Sequence, residues 1–401
     1  MKKKTLFLIA AFTTACLIQI QASAAVLCGI DVLERDRFAL LSGAHVALIT
    51  NQTGVDRKGV STVDLLSKAP GVALLCILTP EHGFRGVAKH GEVVQNSIDE
   101  KTGVPIYSLY GKTTRPTVDM LQDVDTIVFD IQDSGTRFYT YIATMGQALE
   151  IAAERKLRFI VLDRPNPIRG DILEGDVLDP EVKRLTGYFP IPTRHGFTVG
   201  ELAEWMNKTQ NLQAPLTVVK MEGWKRSLWF NQTGLAWIRP SPNLPTPTSA
   251  LLYSGVGCFE ATNVSVGRGT KTPFELFGAP WMDGKALAKA LRDKKIPGLS
   301  VTPVQFTPKT DLYQNERCEG VRIRVTNRDQ ARPFLLFVHS FLTLSKDNPA
   351  FKPNWEEVRV VTGSNRVKDA VDGKWPLEEL LRVLGQRLDE FRNQVKSFYL
   401  Y

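Results

Sequence analysis

The chain has 401 residues, 43% of them hydrophobic and 23% charged, which excludes a disordered polymer and gives enough length for two domain cores. Its formal net charge is +8, or +5 once Lys2, Lys3 and Lys4 are discounted as part of a removable leader. No lysine- and arginine-rich run is interleaved with aromatics, so nucleic acid is not an expected partner, while mild positive charge suits anionic polymers such as a cell wall.

Residues 1–24 read as a secretory signal: a charged start at 2–4, an apolar run over 6–20 and a small-residue cleavage site at 22–24. No other stretch approaches membrane-spanning length, so the expectation is an exported chain without stable membrane insertion. Cys16 lies in that leader. Cys28, Cys76, Cys258 and Cys318 show no CxxC spacing, so neither a zinc site nor a disulfide framework is expected.

His45–Thr50 (HVALIT) is the first strand and ends in Asn51, Gln52 and Thr53; residues 63–66 form a short helix. Residues 72–78 (VALLCIL) are a second buried strand, running into LTPEHGFRGVAKHGE at 78–92. That loop offers Glu81, His82, Arg85, Lys89, His90 and Glu92, and its glycines and Pro80 rule out a continuous helix. Residues 105–110 are extended. Residues 125–131 (DTIVFDI) are a strand followed by Gln132, Asp133 and Arg137, and a helix starts near Tyr139. Residues 158–162 (RFIVL) are a further strand, ending in Asp163, Arg164 and Asn166. This alternation predicts a doubly wound α/β domain over 25–185, and its polar strand ends predict a cleft. No GxGxxG or Walker pattern follows any strand, which disfavours a nucleotide cofactor.

Prolines thicken from residue 190 onward, and RPSPNLPTP at 239–247 predicts a stiff extended segment. Helices are expected at 199–206, 286–291 and 333–344 and strands at 216–221, 299–306 and 321–325. The last helix carries Leu377, Leu380, Leu381, Leu384, Leu388 and Phe391 on one face. Residues 186–401 therefore read as a smaller, mixed α+β domain closing the cleft.

Two carboxylates at a cleft are the minimal machinery for glycoside hydrolysis, one protonating the leaving oxygen and one activating water or attacking. Glu81, Glu92, Asp130 and Glu174 are the candidates, with Glu81 first because the strand aims its loop at the cleft. No histidine pair has metal-ligand spacing, although His82, His90 and His195 could gather around a metal across loops. No GxSxG elbow is present, and Ser134 reads as a backbone cap. Tyr139, Tyr141, Trp237, Phe259 and Trp281 are candidates for stacking on sugar faces, with core packing as the ordinary alternative.

The blocks PEHGFRG (80–86), DIQDSGTRFYTYI (130–142), LDRPNPIRGDILEGDVLD (162–179), PTRHGFTVGELA (192–203), SPNLPT (241–246) and SVGRGTKTPFELFGAPW (265–281) resemble the NamZ family of exported exo-β-N-acetylmuramidases. The resemblance runs from about residue 29 to the C-terminus. It implies a Rossmann-like domain, an auxiliary domain and a cleft between them, acting without metal or nucleotide. It also implies release of terminal N-acetylmuramic acid from the non-reducing end of peptidoglycan-derived saccharides. Glu81 matches the glutamate of the PEHG block and takes the acid/base role. Asn51, His82, Arg85, Arg137, Asn166, Asn243, Glu260 and Arg268 fall in matching blocks as substrate contacts. The residues leave open which carboxylate partners Glu81, and they leave open a non-catalytic binder of wall saccharides or a metal-dependent hydrolase.

Overall fold

The computed structural model describes residues 25–81, 83–84 and 95–401. The leader at 1–24 and the candidates His82, Arg85, His90 and Glu92 lie outside the described residues. In chain order the strands are β1 (His45–Thr50), β2 (Ala73–Thr79), β3 (Ser97–Ile98), β4 (Pro105–Ser108), β5 (Thr126–Asp130), β6 (Arg158–Leu162), β7 (Glu174–Val177), β8 (Pro192–Arg194), β9 (Leu216–Val219), β10 (Leu276–Ala279), β11 (Leu299–Phe306) and β12 (Cys318–Val325). The helices are α1 (Gly29–Arg35), α2 (Thr62–Leu66), α3 (Thr140–Arg155), α4 (Val199–Thr209), α5 (Pro247–Val256), α6 (Gly284–Asp293), α7 (Pro333–Asp347), α8 (Trp355–Thr362), α9 (Arg366–Val371) and α10 (Leu377–Val395).

Seven strands form one sheet in the order β3-β4-β2-β1-β5-β6-β9. All neighbours are parallel except the short edge strand β3. The apolar runs of the sequence are explained by burial on both faces, because side chains alternate between two cores. Ala47, Ile49, Ile127, Phe129, Phe159 and Val161 face the layer that includes α3 and α4. Val46, Leu48, Val128, Ile160 and Leu162 face the layer of α1 and α2. This is the doubly wound fold expected from the alternation of elements.

The sheet runs past the expected boundary at 185. Strand β9 pairs with β6 from Phe159↔Leu216 to Leu162↔Val219, so the first unit takes in α4 and β9 as well. The second unit holds a three-stranded antiparallel sheet, β10-β12-β11, with α6 packed on it and α5 and α7 against each other. Its core is aromatic: Phe259 lies 4.7 Å from Phe277 and 5.0 Å from Phe337, ring centre to ring centre. These rings belong to the same apolar cluster as α3, so the two units share one core.

Arg137 rivets that junction. Its Nη1 donates to the carbonyls of Asp176 (2.6 Å) and Ile191 (2.8 Å), and its Nη2 to that of Val361 (2.8 Å) at the end of α8. Gly363, at φ 100°, lies so close that a Cβ there would meet the guanidinium at 3.0 Å. Burial lowers the Arg137 pKa to about 10.

The described cysteines are all buried and free. Among the described residues no helix is long and apolar enough to cross a membrane.

Candidate active site

The strand order reverses between β1 and β5, where open α/β sheets usually hold their ligand. Here the chain stitches that crevice to itself. Thr50 Oγ1 donates to the Asp130 carbonyl at 2.9 Å, and the Gln132 amide donates to Thr53 Oγ1 at 2.9 Å. The open space lies one strand over, beyond the carboxyl end of β2.

There Thr79 runs into Pro80, and the Gly83 amide donates back to the Pro80 carbonyl at 3.1 Å, closing a tight turn. Gly83 takes φ 71°, a conformation favouring glycine, which is the local reason for the spacing Pro-Glu-x-Gly. Glu81 sits inside this turn, 4% exposed. Its Oε2 accepts from Thr140 Oγ1, the first residue of α3, at 3.0 Å. The Tyr110 phenol hydrogen-bonds to it as well; burial first, then the Glu81 charge, raises that phenol's pKa. The Tyr141 hydroxyl ties the turn to the proline-rich segment, donating to the Pro240 carbonyl at 2.7 Å and lying 3.4 Å from the Glu81 carbonyl.

Glu81 opens into a cleft of about 200 Å³ whose walls come from both units. Phe138, Tyr139 and Thr140 line it from the first, Ser241 and Leu244 from the proline-rich segment, and Tyr253, Glu260, Arg268 and Phe274 from the second. The wall is aromatic, with Tyr253 5.0 Å from Phe138 and 4.8 Å from Phe274 between ring centres. Burial holds the Tyr139 and Tyr253 phenols well above the usual range, so both stay protonated donors. The Tyr139 hydroxyl meets no partner at hydrogen-bonding geometry, although the Tyr141 phenol is close enough to add to its shift. Arg268 Nε donates to Glu260 Oε1 at 2.5 Å.

Three of the acid/base and substrate-contact candidates thus meet: Glu81, Glu260 and Arg268. The other described ones among them do not line the cleft. Asp130 is wholly buried and bound by the Arg164 fork, Nε to Oδ1 at 2.6 Å and Nη2 to Oδ2 at 2.9 Å, with Thr62 Oγ1 donating to Oδ2 as well. Both oxygens are taken, so Asp130 anchors the strand ends and does no acid/base work. Glu174, the first residue of β7, accepts from the Leu335 amide at 3.0 Å; burial, opposed by Arg194, raises its pKa to about 7. It is a buried acid away from the cleft and is likewise structural.

Of the expected substrate contacts, Arg137 is consumed by main-chain carbonyls. Asn166 is buried and spans the Phe197 carbonyl (2.9 Å) and the Ile168 amide (3.1 Å). Asn51 Oδ1 takes two donors from Thr53, and its buried Nδ2 has no partner. Asn243 is half-buried on the turn whose Ser241 and Leu244 do line the cleft. His195 is held between Asp133 Oδ2 (3.1 Å) and the Phe197 amide (3.2 Å), and among the described residues no cluster could hold a metal ion.

Of the stacking candidates, Tyr139 alone lines the cleft. Phe259 is core, while Trp237 and Trp281 donate to the Leu244 carbonyl and the Tyr313 hydroxyl at 3.1 Å each. Sequence reasoning missed Tyr110, Thr140 and Tyr253. Thr140, at the head of a helix facing a strand end, was the readable signal among them.

Sequence profiles described as "Exo-beta-N-acetylmuramidase NamZ, N-terminal" and "C-terminal" match residues 46–248 and 251–401. The chain belongs to the NamZ family. It is 42% identical over 376 residues to the peptidoglycan beta-N-acetylmuramidase NamZ of Bacillus subtilis (strain 168), covering 93% of this chain and 91% of that protein. Two solved DUF1343-family proteins of Bacteroides fragilis NCTC 9343 share the fold. One matches with TM-score 0.87 at 37% identity and the other with 0.76 at 29%; each alignment covers 94% of this chain and 99% of the other. The NamZ profiles meet near residue 250, just ahead of the second unit's sheet.

Proposed function

We propose that the chain is an exported exo-β-N-acetylmuramidase that removes terminal N-acetylmuramic acid from the non-reducing end of peptidoglycan fragments, with Glu81 as general acid. One observation carries this reading: a nearly buried carboxyl, braced by Thr140 and Tyr110, opens into a pocket of single-sugar scale lined by aromatics. A glycosidic oxygen seated against Glu81 would take its proton as the bond to the anomeric carbon breaks, and water would supply the hydroxyl that this carbon gains and the proton that restores the acid. The Tyr139 and Tyr253 hydroxyls supply donors for sugar oxygens, and the rings supply apolar faces. The small pocket, about 200 Å³, favours a chain terminus over an internal unit. Export rests on the leader at 1–24, and kinship with a named peptidoglycan muramidase supports the substrate class.

Purified protein should release free N-acetylmuramic acid from a chromogenic β-N-acetylmuraminide, and only that monosaccharide from longer wall saccharides. Glu81→Gln should lose about 100- to 10,000-fold in kcat with the fold retained. Internal cleavage products would remove the exo assignment, and undiminished turnover by the variant would remove Glu81.

A further inference from the structure

We infer that Arg268 is the residue through which the cleft selects muramic acid, its Nη1 edge receiving the lactyl carboxylate that distinguishes this sugar from other N-acetylhexosamines. The inference rests on the muramidase reading above and adds the group that would set its specificity.

Arg268 is only 8% exposed, on a loop pulled tight by glycines on either side. Gly267 and Gly269 take φ 79° and 75°, and a Cβ on Gly269 would lie 2.5 Å from the Thr310 main chain. The Lys309 amide donates to the Gly269 carbonyl at 3.0 Å and completes the brace. The guanidinium is oriented in turn. Its Nε is held by Glu260, its face lies over the Phe274 ring at 5.4 Å, and its Nη1 is buried without a partner.

Other buried arginines show what that orphan means. Arg137 uses both terminal nitrogens on carbonyls and leaves its Nε unpartnered away from the cleft, and Arg164 uses Nε and Nη2 on Asp130 and Val55. Arg194 also has unpartnered nitrogens, but it lines no part of the cleft. Among the described arginines, only Arg268 combines an unpartnered buried nitrogen with a place in the wall of the pocket that holds Glu81. An unpaired buried N–H is costly, and a ligand acceptor that reaches it removes the cost.

Charge narrows the ligand further. Among the described residues, Arg268 is the one cation lining a cleft that also holds Glu81, Glu260 and Glu357. Among the described lining residues, that guanidinium is where an anionic group meets an opposite charge. A planar fork with one edge occupied by Glu260 and another free matches a carboxylate better than a hydroxyl. N-Acetylmuramic acid carries its only carboxylate on the 3-O-lactyl ether.

The test compares a chromogenic N-acetylmuraminide as free acid with its lactyl methyl ester, in wild type, Arg268→Gln and Arg268→Lys. Wild type should prefer the acid by about 10- to 100-fold in kcat/KM, the worth of a hydrogen bond to a charged group. In Arg268→Gln that preference should collapse, with the loss concentrated in KM for the acid. Arg268→Lys keeps the charge without the fork and should recover part of the preference, which keeps the test decisive if the glutamine variant folds poorly. Equal loss on both substrates would make Arg268 a structural residue and overturn the inference. So would a wild type that treats acid and ester alike, or an acid preference surviving in both variants. A wild type that cleaves neither substrate would instead sink the muramidase reading, and this inference with it.

Discussion

Two polar clusters stand at the carboxyl ends of the central strands, and they are built on opposite rules. The first, around Asp130, Arg164, Asp163 and Tyr401, is saturated. Asp130 is clasped by Arg164 and Thr62, while Asp163 accepts from Thr198 Oγ1, the Gly200 amide, the Arg164 amide and the Tyr401 hydroxyl, each at 3.0 Å or less. The second, around Glu81, Tyr139 and Arg268, leaves polar atoms unanswered. A polar strand end is therefore no sign of function by itself. The distinguishing mark is an unsatisfied group on a residue that lines space a ligand can fill; buried groups without a partner elsewhere, such as the Arg194 nitrogens and Asn51 Nδ2, line no part of that cleft.

The contrast can be broken most sharply with paired variants. Glu81→Gln should abolish nearly all turnover, by about 100- to 10,000-fold, and leave the melting curve close to wild type. Asp130→Asn should do the reverse. It strands a buried guanidinium and should cost about 3–5 kcal/mol by denaturant unfolding, with turnover per folded molecule kept. If Asp130→Asn silences the enzyme while leaving it stable, the saturated cluster is part of the machinery after all.

Glu174 gives a pH-dependent version of the same comparison. Its pKa in the folded chain is raised to about 7 from an ordinary 4.5, mainly by burial, so folding favours the neutral acid. That contribution is complete below about pH 4.5 and fades as pH rises through 7, by up to about 3 kcal/mol. Glu174→Gln cannot ionise and should flatten this part of the stability profile, read as melting temperature against pH. An unchanged slope would show that Glu174 is ionised in the native protein at neutral pH.

The smallest expected effect lies at the C-terminus. The Tyr401 hydroxyl donates to Asp163 at 2.7 Å and accepts from the Met221 amide at 2.8 Å, tying the last residue to the first unit. Tyr401→Phe should cost about 1–3 kcal/mol without changing kcat.

The fold was legible where the signal is local. Apolar runs marked the buried strands, and α4, α6, α7 and α10 followed their periodicity. The boundary at 185 failed because the pairing of β9 with β6 is a long-range event, hidden behind a proline-rich texture that imitates a domain change. The turn that carries Glu81 was legible because Pro80 and Gly83 announce it after a strand. Asp130 misled because the arginine that neutralises it lies 34 residues away. Arg137 misled because its partners are main-chain carbonyls, which every residue carries and no sequence pattern marks. Glu260 and Arg268 come from the second unit, and nothing in their spacing relates them to Glu81.

The most direct test of the central claim is a crystal structure of Glu81→Gln with a disaccharide bearing N-acetylmuramic acid at its non-reducing end. The account predicts the sugar in the cleft, its glycosidic oxygen within about 2.6–3.2 Å of the side chain at position 81. A saccharide bound at the strand ends beside Asp130, with position 81 facing no glycosidic oxygen, would contradict it.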